Sequence, residues 1–462
     1  MTASTRATAS TVDLERAQDA ELIRAASASM ARSSGFTRER GALLCNGRHV
    51  MELLTEAGVG TPAYVYDLDA VGASARAIVA ALGRSGTCAY AIKANGAGPI
   101  VSRIVREGCG IDVVSGGELR VALACGAPPS AIVYSGVAKR DDELDLAIGK
   151  GIRSIHAESV EEIERIAARA RGSGKQGVSI ALRINPAVEV DTHAHVATGH
   201  DEAKFGISRD DFGRALDCVR AAFKELRLIG LSGHVGSQLM EPAPYLAGMR
   251  VICELATRAR ALRFPLQYVD AGGGYGVPYR DDQRATPAAA FIEAALAELR
   301  AQRLDDLALM IEPGRALVAS HGVLVSRVIQ PKRSLVSGVE QRWLLIDAGM
   351  NDLIRPALYQ AHHRIEPLVF DAKETIKDWR VAGPVCESSD DFGMHPLPDP
   401  PPPLVAIRDA GAYGRSMAST YNTRPLAAEV FVAGGSVVAV RRACSVDAIA
   451  HEEAHGATPI ER

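Results

Sequence analysis

The chain has 462 residues, of which 47% are hydrophobic and 23% are charged, and its formal net charge is -3. This composition is typical of a globular protein long enough for two domains. Lysine and arginine are scattered rather than clustered, which argues against nucleic acid or an anionic membrane as a partner, and no apolar run approaches the ~20 residues needed to cross a bilayer.

The N-terminal segment, Met1 to about Ser34, is rich in Ala, Ser, Thr and Arg and lacks the continuous apolar stretch of a secretion signal. It also carries acidic residues that a transit peptide would avoid: Asp13, Glu15, Asp19 and Glu21. We predict a disordered or partly helical extension over residues 1–35. We assign residues 36–68 to a β-rich domain, although their strand-like end, Ala63–Asp67, could instead open a barrel.

Between residues 69 and 319, short β-branched or apolar runs alternate with longer helical patterns. The strand-like runs are Thr87–Ile92, Ile111–Val114, Ala131–Tyr134, Ser179–Ile184, Leu228–His234, Gln267–Asp270 and Leu309–Ile311. The helix-like stretches include Val160–Arg171, Phe212–Phe223, Tyr245–Ala261 and Pro287–Leu299. Strand–helix alternation predicts a parallel sheet, and about eight units over ~250 residues predict a (β/α)₈ barrel of the α/β class.

After Arg315 the pattern changes to strands without regular helices between them. These runs are Gly322–Ile329, Gln341–Asp347, Leu404–Asp409, Ala428–Val432 and Ser436–Arg441. We predict a C-terminal β domain over residues 320–462, with the proline-rich run Pro396–Pro403 as a surface loop. The eight cysteines include no C-x-x-C pair, which predicts reduced, mostly buried thiols and a cytoplasmic protein.

Chemically capable residues fall where the predicted barrel strands end, which is where the active sites of such barrels lie. Lys93 closes the run Tyr90–Asn95. A desolvated lysine at this place would have a lowered pKa and would form Schiff bases. Taken alone, this pattern more often indicates a lysine at a strand end whose amine extends into solvent and has no catalytic role.

Asp270–Gly276 follows another strand and contains Gly272, Gly273 and Gly274. Three glycines let backbone N–H groups approach an anion such as phosphate closely. The spacing differs from the G-x-G-x-x-G of dinucleotide sites, because position 277 is valine. A tight turn between strand and helix explains the glycines equally well.

Two more strand ends carry polar side chains. His234 and Ser237 could stack on a ring and donate to a phosphate, although a lone histidine is more often structural. Glu312 could hold a pyridine nitrogen protonated, and Arg315 could bind an anion bidentately. A salt bridge at a Pro-Gly turn is the alternative for that pair.

Together these strand ends supply a Schiff-base lysine, a glycine-rich phosphate loop, a ring-stacking histidine and a carboxylate for a pyridine nitrogen. Pyridoxal 5'-phosphate requires these groups, and their coincidence predicts that cofactor. The β domain adds Cys386, whose polar surroundings indicate a proton donor or nucleophile, and Tyr413, whose phenol could reach a phosphate. We predict no metal, because a histidine cluster in the barrel lacks cysteine or a fourth ligand: His193, His195 and His200.

The motifs together resemble the alanine-racemase-type (fold type III) decarboxylases, in particular the diaminopimelate decarboxylase family. The resemblance runs from about Gly41 to Asp447. It is carried by YAIKAN (90–95), DVVSGGEL (112–119), THAHVATG (192–199), KFGI (204–207), HVGSQ (234–238), DAGGGYG (270–276), EPGR (312–315), DAGMNDLIRPALY (347–359), CES (386–388) and DAGAYGRSMASTYN (409–422).

The resemblance implies that Lys93 binds the cofactor covalently, that His234 stacks on its ring and that Glu312 pairs with its pyridine nitrogen. The other residues implied to contact the cofactor are Asp112, Ser237, Gly272, Gly273, Gly274, Pro313, Gly314, Arg315 and Tyr413. Those implied to hold the substrate are Arg315, Arg355, Tyr359, Glu387 and Tyr413. Cys386 is implied to protonate the decarboxylated carbon in the other subunit of a head-to-tail homodimer.

The implied activity is decarboxylation of meso-2,6-diaminopimelate to L-lysine and CO₂, the last step of lysine biosynthesis. Arg355 beside Tyr359 favours this substrate, because ornithine and lysine have no second carboxylate to bind there. The alternatives are a decarboxylase of ornithine, arginine or carboxynorspermidine, and a non-catalytic cofactor-binding homologue. The chain departs from the family pattern in its N-terminal extension, at Ser389 and at His156–Ala157, and we expect these differences to affect oligomer contacts or kinetics.

Overall fold

The computed structural model describes residues 35–188 and 204–457. The predicted N-terminal extension lies outside these residues except for Gly35. So do His193, His195 and His200, and the histidine cluster therefore remains a sequence observation.

The described chain begins with a small antiparallel sheet of β1 (Phe36–Glu39), β2 (Ala42–Cys45) and β3 (Arg48–His49). Helix α1 (Val50–Ala57) follows. Strand β4 (Ala63–Asp67) then lies between two strands of the C-terminal sheet, antiparallel to one and parallel to the other. Of the two places considered for this run, the β-rich sheet is therefore the correct one.

Eight parallel strands close into a barrel whose interior is filled by side chains. They are β5 (Gly86–Ala91), β6 (Gly110–Val113), β7 (Ile132–Tyr134), β8 (Ser154–Ala157), β9 (Val178–Ile184), β10 (Leu226–Gly233), β11 (Tyr268–Asp270) and β12 (Ala308–Ile311). Its helices are α2 (Leu68–Leu82), α3 (Gly98–Arg106), α4 (Gly116–Ala124), α5 (Asp141–Lys150), α6 (Val160–Gly172), α7 (Phe212–Ala221), α8 (Pro242–Ala261), α9 (Ala288–Ala301) and α10 (Arg315–Val318).

Local sequence explains where these helices begin and which face they bury. The hydroxyl of Ser159 accepts a hydrogen bond from the backbone N–H of Glu162 and so caps the start of α6. The apolar positions of that helix, among them Ile163 and Ile166, are fully buried against the barrel. Strand β8 had no counterpart among the predicted runs, because its sequence Ser-Ile-His-Ala interrupts the apolar pattern with two polar residues.

The second domain is a nine-stranded mixed sheet. Its strands after the barrel are β13 (Gly322–Val336), β14 (Val339–Ile346), β15 (Ile365–Pro367), β16 (Ile376–Ala382), β17 (Asp391–Pro398), β18 (Leu404–Ile407), β19 (Ala428–Ala433) and β20 (Ser436–Arg441). The main order is β17-β16-β14-β13-β4-β19-β20, with β18 paired to β13 and β15 paired to β18. Helices α11 (Arg355–Tyr359) and α12 (Val446–His455) complete the described chain.

The predicted surface loop over Pro396–Pro403 is wrong for its first three residues. Residues 396–398 belong to β17 and pair with β16, and Leu397 is fully buried. Proline is tolerated here because β17 lies at the edge of the sheet, where a missing N–H costs no ladder hydrogen bond.

The barrel and the β-rich domain confirm the predicted fold class, whereas the domain boundaries stay a prediction. All eight cysteines are free, as predicted, but only four of them are buried: Cys45, Cys88, Cys109 and Cys253. Among the described helices, none combines the length and apolarity that a transmembrane segment requires.

Candidate active site

A cavity of about 490 Å³ opens at the ends of the barrel strands, where the β domain covers them. Most of the residues that line it belong to the barrel: Ala91, Lys93, Val114, Ser135, Gly136, Val137, Arg183, Phe205, His234, Ser237, Gly274, Glu312, Gly314 and Arg315. The β domain contributes Arg355, Tyr359, Tyr413 and Met417. The cavity therefore brings together ten of the residues that the sequence predicts.

Several strands deliver their reactive side chains directly past their last residue. Lys93 lies in a single helical turn after β5, and His234 follows β10. Glu312 follows β12, and Arg315 is the first residue of α10. Because parallel barrel strands all end on the same face, these residues meet although they are far apart in sequence.

The pKa of Lys93 differs from the one expected from the sequence, because of the charges around its amine. Burial lowers the pKa of its amine, but the carboxylates of Asp112 and Glu312 and the phenol of Tyr413 outweigh that effect. The pKa of Lys93 therefore lies above its ordinary value, and the prediction that it is lowered is wrong. The error arose because the neighbouring acids come from other strands.

Glu312 lies among other buried acids. Burial, the charge of Asp270 and a hydrogen bond between the two carboxyl groups raise the pKa of Glu312 well above its usual value. Burial, partly offset by Glu312 and by the N–H of Gly272, raises the pKa of Asp270 to about 6. Asp112 is fully buried beside them, and neither of its carboxylate oxygens has a hydrogen-bond partner within the described residues. A positively charged ligand in the cavity would meet these acids.

The triglycine loop after β11 fits between the loops of its two neighbouring strands. A Cβ atom on Gly272 would lie 2.5 Å from the carbonyl oxygen of Gly233, and one on Gly274 would lie 2.0 Å from that of Gly236. A Cβ on Gly273 would lie 2.0 Å from the carbonyl oxygen of Glu312. Close backbone packing thus requires all three glycines, and Gly274 alone of the three reaches the cavity surface.

His234 presents its ring to the cavity in a defined tautomer. Its Nδ1 atom accepts a hydrogen bond of 3.3 Å from the backbone N–H of Gly273. Burial and the positive charges of Arg183 and Lys93 lower the pKa of His234 well below its usual value. The ring is therefore neutral with its proton on Nε2, as suits a residue that stacks on an aromatic ligand.

Two arginines converge on the phenol ring of Tyr279. Arg315 donates to the Tyr279 hydroxyl at 2.8 Å and to the hydroxyl of Ser237 at 2.9 Å. Arg355 lies 4.5 Å from the centre of the same ring and forms a 2.7 Å hydrogen bond with Nε2 of His363. The Nε atoms of both arginines have no partner among the described residues. The described residues show no salt bridge between Glu312 and Arg315, so the alternative considered for this pair is not observed.

Cys386 and Glu387 do not reach this cavity. Both are exposed, and Glu387 accepts a 2.6 Å hydrogen bond from the hydroxyl of Tyr421. The backbone N–H of Cys386 donates to the side chain of Asn422 at 3.1 Å. Four other predicted residues lie next to cavity-lining residues but do not line the cavity themselves: Asp112, Gly272, Gly273 and Pro313.

The sequence reasoning missed two groups at the site. Arg183 lines the cavity and forms a 2.6 Å salt bridge with Glu158. A lone arginine inside the apolar run of β9 was the signal that could have identified it. His156, noted only as a departure from the family pattern, is fully buried inside the barrel, so a role of this residue in oligomer contacts is excluded.

Ligand atoms of His156, Asp270 and Glu312 lie within 4.8 Å of one another, close enough to hold a metal ion. The same Glu312 is the acid predicted to face a pyridine nitrogen. The cavity fits pyridoxal 5'-phosphate by its chemistry: an amine at Lys93, a largely buried acid at Glu312, a neutral ring at His234 and hydroxyl donors at Ser237 and Tyr413.

The chain is similar in sequence to known proteins over most of its length. A family profile described as "Pyridoxal-dependent decarboxylase, pyridoxal binding domain" matches residues 68–319. The diaminopimelate decarboxylase of Zymomonas mobilis is 38% identical over 426 residues, which cover 90% of this chain and 98% of the relative. That of Pseudomonas aeruginosa is 38% identical and covers 83% of this chain and 90% of its own length.

Solved structures are also similar over most of the chain. The diaminopimelate decarboxylase of Helicobacter pylori complexed with L-lysine has 33% identity and a TM-score of 0.79, covering 88% of this chain and 100% of that one. The M. jannaschii enzyme in co-complex with L-lysine has 30% identity and a TM-score of 0.82, covering 91% and 98%. A Chlorella virus arginine decarboxylase, at 20% identity and a TM-score of 0.70, shares the fold.

Proposed function

The chain belongs to the pyridoxal-dependent decarboxylases, and from this premise we propose that it converts meso-2,6-diaminopimelate to L-lysine and CO₂, the last step of lysine biosynthesis. The observation that carries the choice of substrate is the second buried arginine of the cavity, Arg355. The relatives described above with at least 30% identity are diaminopimelate decarboxylases, two of them solved with L-lysine.

The cofactor of this enzyme is pyridoxal 5'-phosphate, which, when bound, accepts the electron pair left behind by the departing CO₂. We propose that Lys93 holds it covalently and that Glu312 holds the proton on its pyridine nitrogen. His234 would cover one face of the ring, while Ser237 and Tyr413, which line the same cavity, would donate to its phosphate. Such contacts orient the bond to be broken and exclude water from the reacting carbon.

Arg355 explains the choice among amino acids. Its guanidinium is buried, and burial lowers its pKa, although an arginine keeps its charge at neutral pH. His363 and Tyr279 orient it, and its side chain lines the cavity. A carboxylate at the far end of the substrate would pair with this charge, whereas ornithine and arginine carry a cation at that end and would be repelled.

We further propose a cytoplasmic homodimer in which Cys386 of the partner subunit supplies the proton that replaces CO₂. Support comes from the position of the thiol, which is exposed and lies outside the cavity of its own chain. Glu387, next to it, would bind the substrate's distal ammonium from the same loop. The free cysteines support a reducing compartment.

The experiment that tests the function measures CO₂ and L-lysine released from meso-2,6-diaminopimelate, with and without added pyridoxal 5'-phosphate. We expect stoichiometric release of both with the cofactor, and none from Lys93→Ala, which lacks the amine. Faster release of CO₂ from ornithine, arginine or carboxynorspermidine would contradict the substrate. Cofactor binding without CO₂ from any of these would identify a non-catalytic homologue.

A further inference from the structure

A line of four hydrogen bonds crosses the barrel interior and ends on Glu312. Ser154 Oγ lies 2.7 Å from the hydroxyl of Tyr268, which lies 3.1 Å from Nε2 of His156. Nδ1 of His156 lies 3.2 Å from Oγ of Ser135, and that hydroxyl lies 3.2 Å from Oε1 of Glu312. The side chains before Glu312 are all buried, and they belong to β7, β8 and β11 or follow them directly.

The proton positions along this line follow from the groups at its ends. An ionised Glu312 can only accept, so the single hydroxyl proton of Ser135 points to it. Ser135 then accepts from Nδ1–H of His156, which leaves Nε2 to accept from Tyr268, and Tyr268 accepts from Ser154. Every bond therefore donates in the direction of Glu312. A Glu312 protonated on Oε1 would have to donate to Ser135, which would reverse the line and leave the Ser154 proton without an acceptor among the described residues.

The surroundings favour this direction. Burial, with Lys139, Arg183 and Arg153, lowers the pKa of His156 to about 3, so the ring is neutral and carries one proton. The guanidinium of Arg153 lies 5.1 Å from the centre of the Tyr268 ring. This positive charge partly offsets burial, which raises the pKa of the Tyr268 phenol overall.

We propose that His156 is a positioning residue that fixes the direction of this line, and that the line keeps Glu312 ionised beneath the pyridine nitrogen of the cofactor. Glu312 needs this support, because burial and the adjacent Asp270 favour its protonated form. Asp112 adds a further buried acid, while Lys93 and Arg183 act in the opposite direction. The inference deepens the proposed function and rests on it for the place of the ring nitrogen.

The hydrogen-bond geometry places His156 in contact with the serine rather than with the two acids. Nδ1 of His156 is 3.7 Å from Glu312 and 3.9 Å from Asp270, but 3.2 Å from the Ser135 hydroxyl. The imidazole is thus within hydrogen-bond distance of the serine and not of either acid. Asp112 lies beside the same serine, but its oxygens are outside hydrogen-bond geometry.

The test compares His156→Phe, which can neither donate nor accept, with His156→Gln, which can do both. Tyr268→Phe removes the next donor along the line, and His395→Phe makes the same replacement at a buried histidine of the β domain. Each holoenzyme is prepared with cofactor carrying ¹⁵N in its ring, and the nitrogen chemical shift is recorded without substrate. The kcat and KM for diaminopimelate are measured in parallel.

We expect His156→Phe to move the nitrogen signal towards the unprotonated form and to lower kcat by about two- to tenfold, the cost of one lost hydrogen bond between neutral groups, with KM little changed. Tyr268→Phe should cause a smaller change in the same direction, and His156→Gln and His395→Phe almost none. If His156→Phe does not fold, Tyr268→Phe alone decides between these results.

A wild-type nitrogen signal in both His156→Phe and Tyr268→Phe would overturn the proposal. One equivalent of tightly bound divalent metal in the wild-type protein, lost in His156→Phe, would overturn it as well. Because the nitrogen signal is recorded without substrate, it does not depend on which amino acid is decarboxylated. A failed diaminopimelate assay with the expected nitrogen shifts would reject the substrate and keep this inference.

Discussion

Arg315 and Arg355 contact the same aromatic ring but have different neighbours. Arg315 is held by the hydroxyls of Tyr279 and Ser237, so two of its donors are already engaged. Arg355 is held by the ring nitrogen of His363, whose other nitrogen contacts the carbonyl oxygen of Arg408 at 2.8 Å. Since a carbonyl can only accept, His363 carries its proton on Nδ1 and accepts from Arg355 through Nε2. Among the residues that the structure describes, no carboxylate competes for Arg355.

This arrangement predicts a substrate-dependent effect of Arg355→Ala. We expect kcat/KM for meso-2,6-diaminopimelate to fall by about 10- to 100-fold, because the distal carboxylate would lose a charged hydrogen-bond partner. The inhibition constant of a monocarboxylate such as L-lysine should change far less. Steady-state kinetics with both compounds measure this difference, and the exposed Arg280→Ala is the matched control. Equal losses for both compounds would mean that Arg355 has only a structural role.

At the scale of an element, the loop after β11 fixes the distance between two parts of the site. Its glycines contact the backbone of the loop after β10 on one side and the backbone of Glu312 on the other. Gly273 also donates its N–H to the ring of His234. The loop therefore sets the spacing between the ring that covers the cofactor and the acid at its nitrogen. Neither glycine-bound phosphate nor a tight turn alone accounts for all three glycines.

Gly273→Ala tests this spacing, because Gly273 has no positive φ and its substitution adds only a Cβ. We expect overpacking against the Glu312 carbonyl to lower the free energy of unfolding by about 1–3 kcal/mol and to weaken cofactor retention. Thermal unfolding and cofactor absorbance during dialysis measure the two effects. Gly213→Ala is the control, since a Cβ there meets nothing within 4 Å. A Gly273→Ala protein as stable as Gly213→Ala would refute this account of the loop.

At the scale of the whole molecule, one chain builds a nearly complete site from two domains but leaves one predicted group outside. Barrel residues form most of the cavity, and Arg355, Tyr359 and Tyr413 close it from the β domain. The Cys386–Glu387 loop is exposed and contributes nothing to this cavity. A homodimer with exchanged loops would supply the missing proton donor, as we propose.

Subunit complementation tests the shared site. Lys93→Ala and Cys386→Ala homodimers should each be nearly inactive. When the two are co-refolded in equal amounts, half of the dimers are heterodimers by random assortment, and each contains one site with both defects and one with none. Activity should recover to about a quarter of the wild-type value. If Cys386 served its own chain, every heterodimer site would carry one defect and no activity would return.

The sequence by itself determined the fold class, the reaction family and most of the cavity. Strand–helix alternation predicts the barrel, and a barrel places the ends of all its parallel strands on one face. Residues named only because they follow strands, such as Lys93, His234 and Glu312, therefore meet in the structure. Local pattern was sufficient here because the topology converts sequence position at a strand end into position in space.

Only the tertiary structure determined the electrostatic and hydrogen-bonding properties that depend on distances between strands. The sign of the pKa shift at Lys93 was predicted wrongly, because the carboxylates of Asp112 and Glu312 arrive from other strands and outweigh burial. The role proposed for His156 on β8 depends on two residues from other strands. Ser135 follows the neighbouring strand β7, and Tyr268 lies on β11, three strands away in the barrel. Electrostatic and hydrogen-bond energies depend on such distances, and a one-dimensional pattern does not contain them.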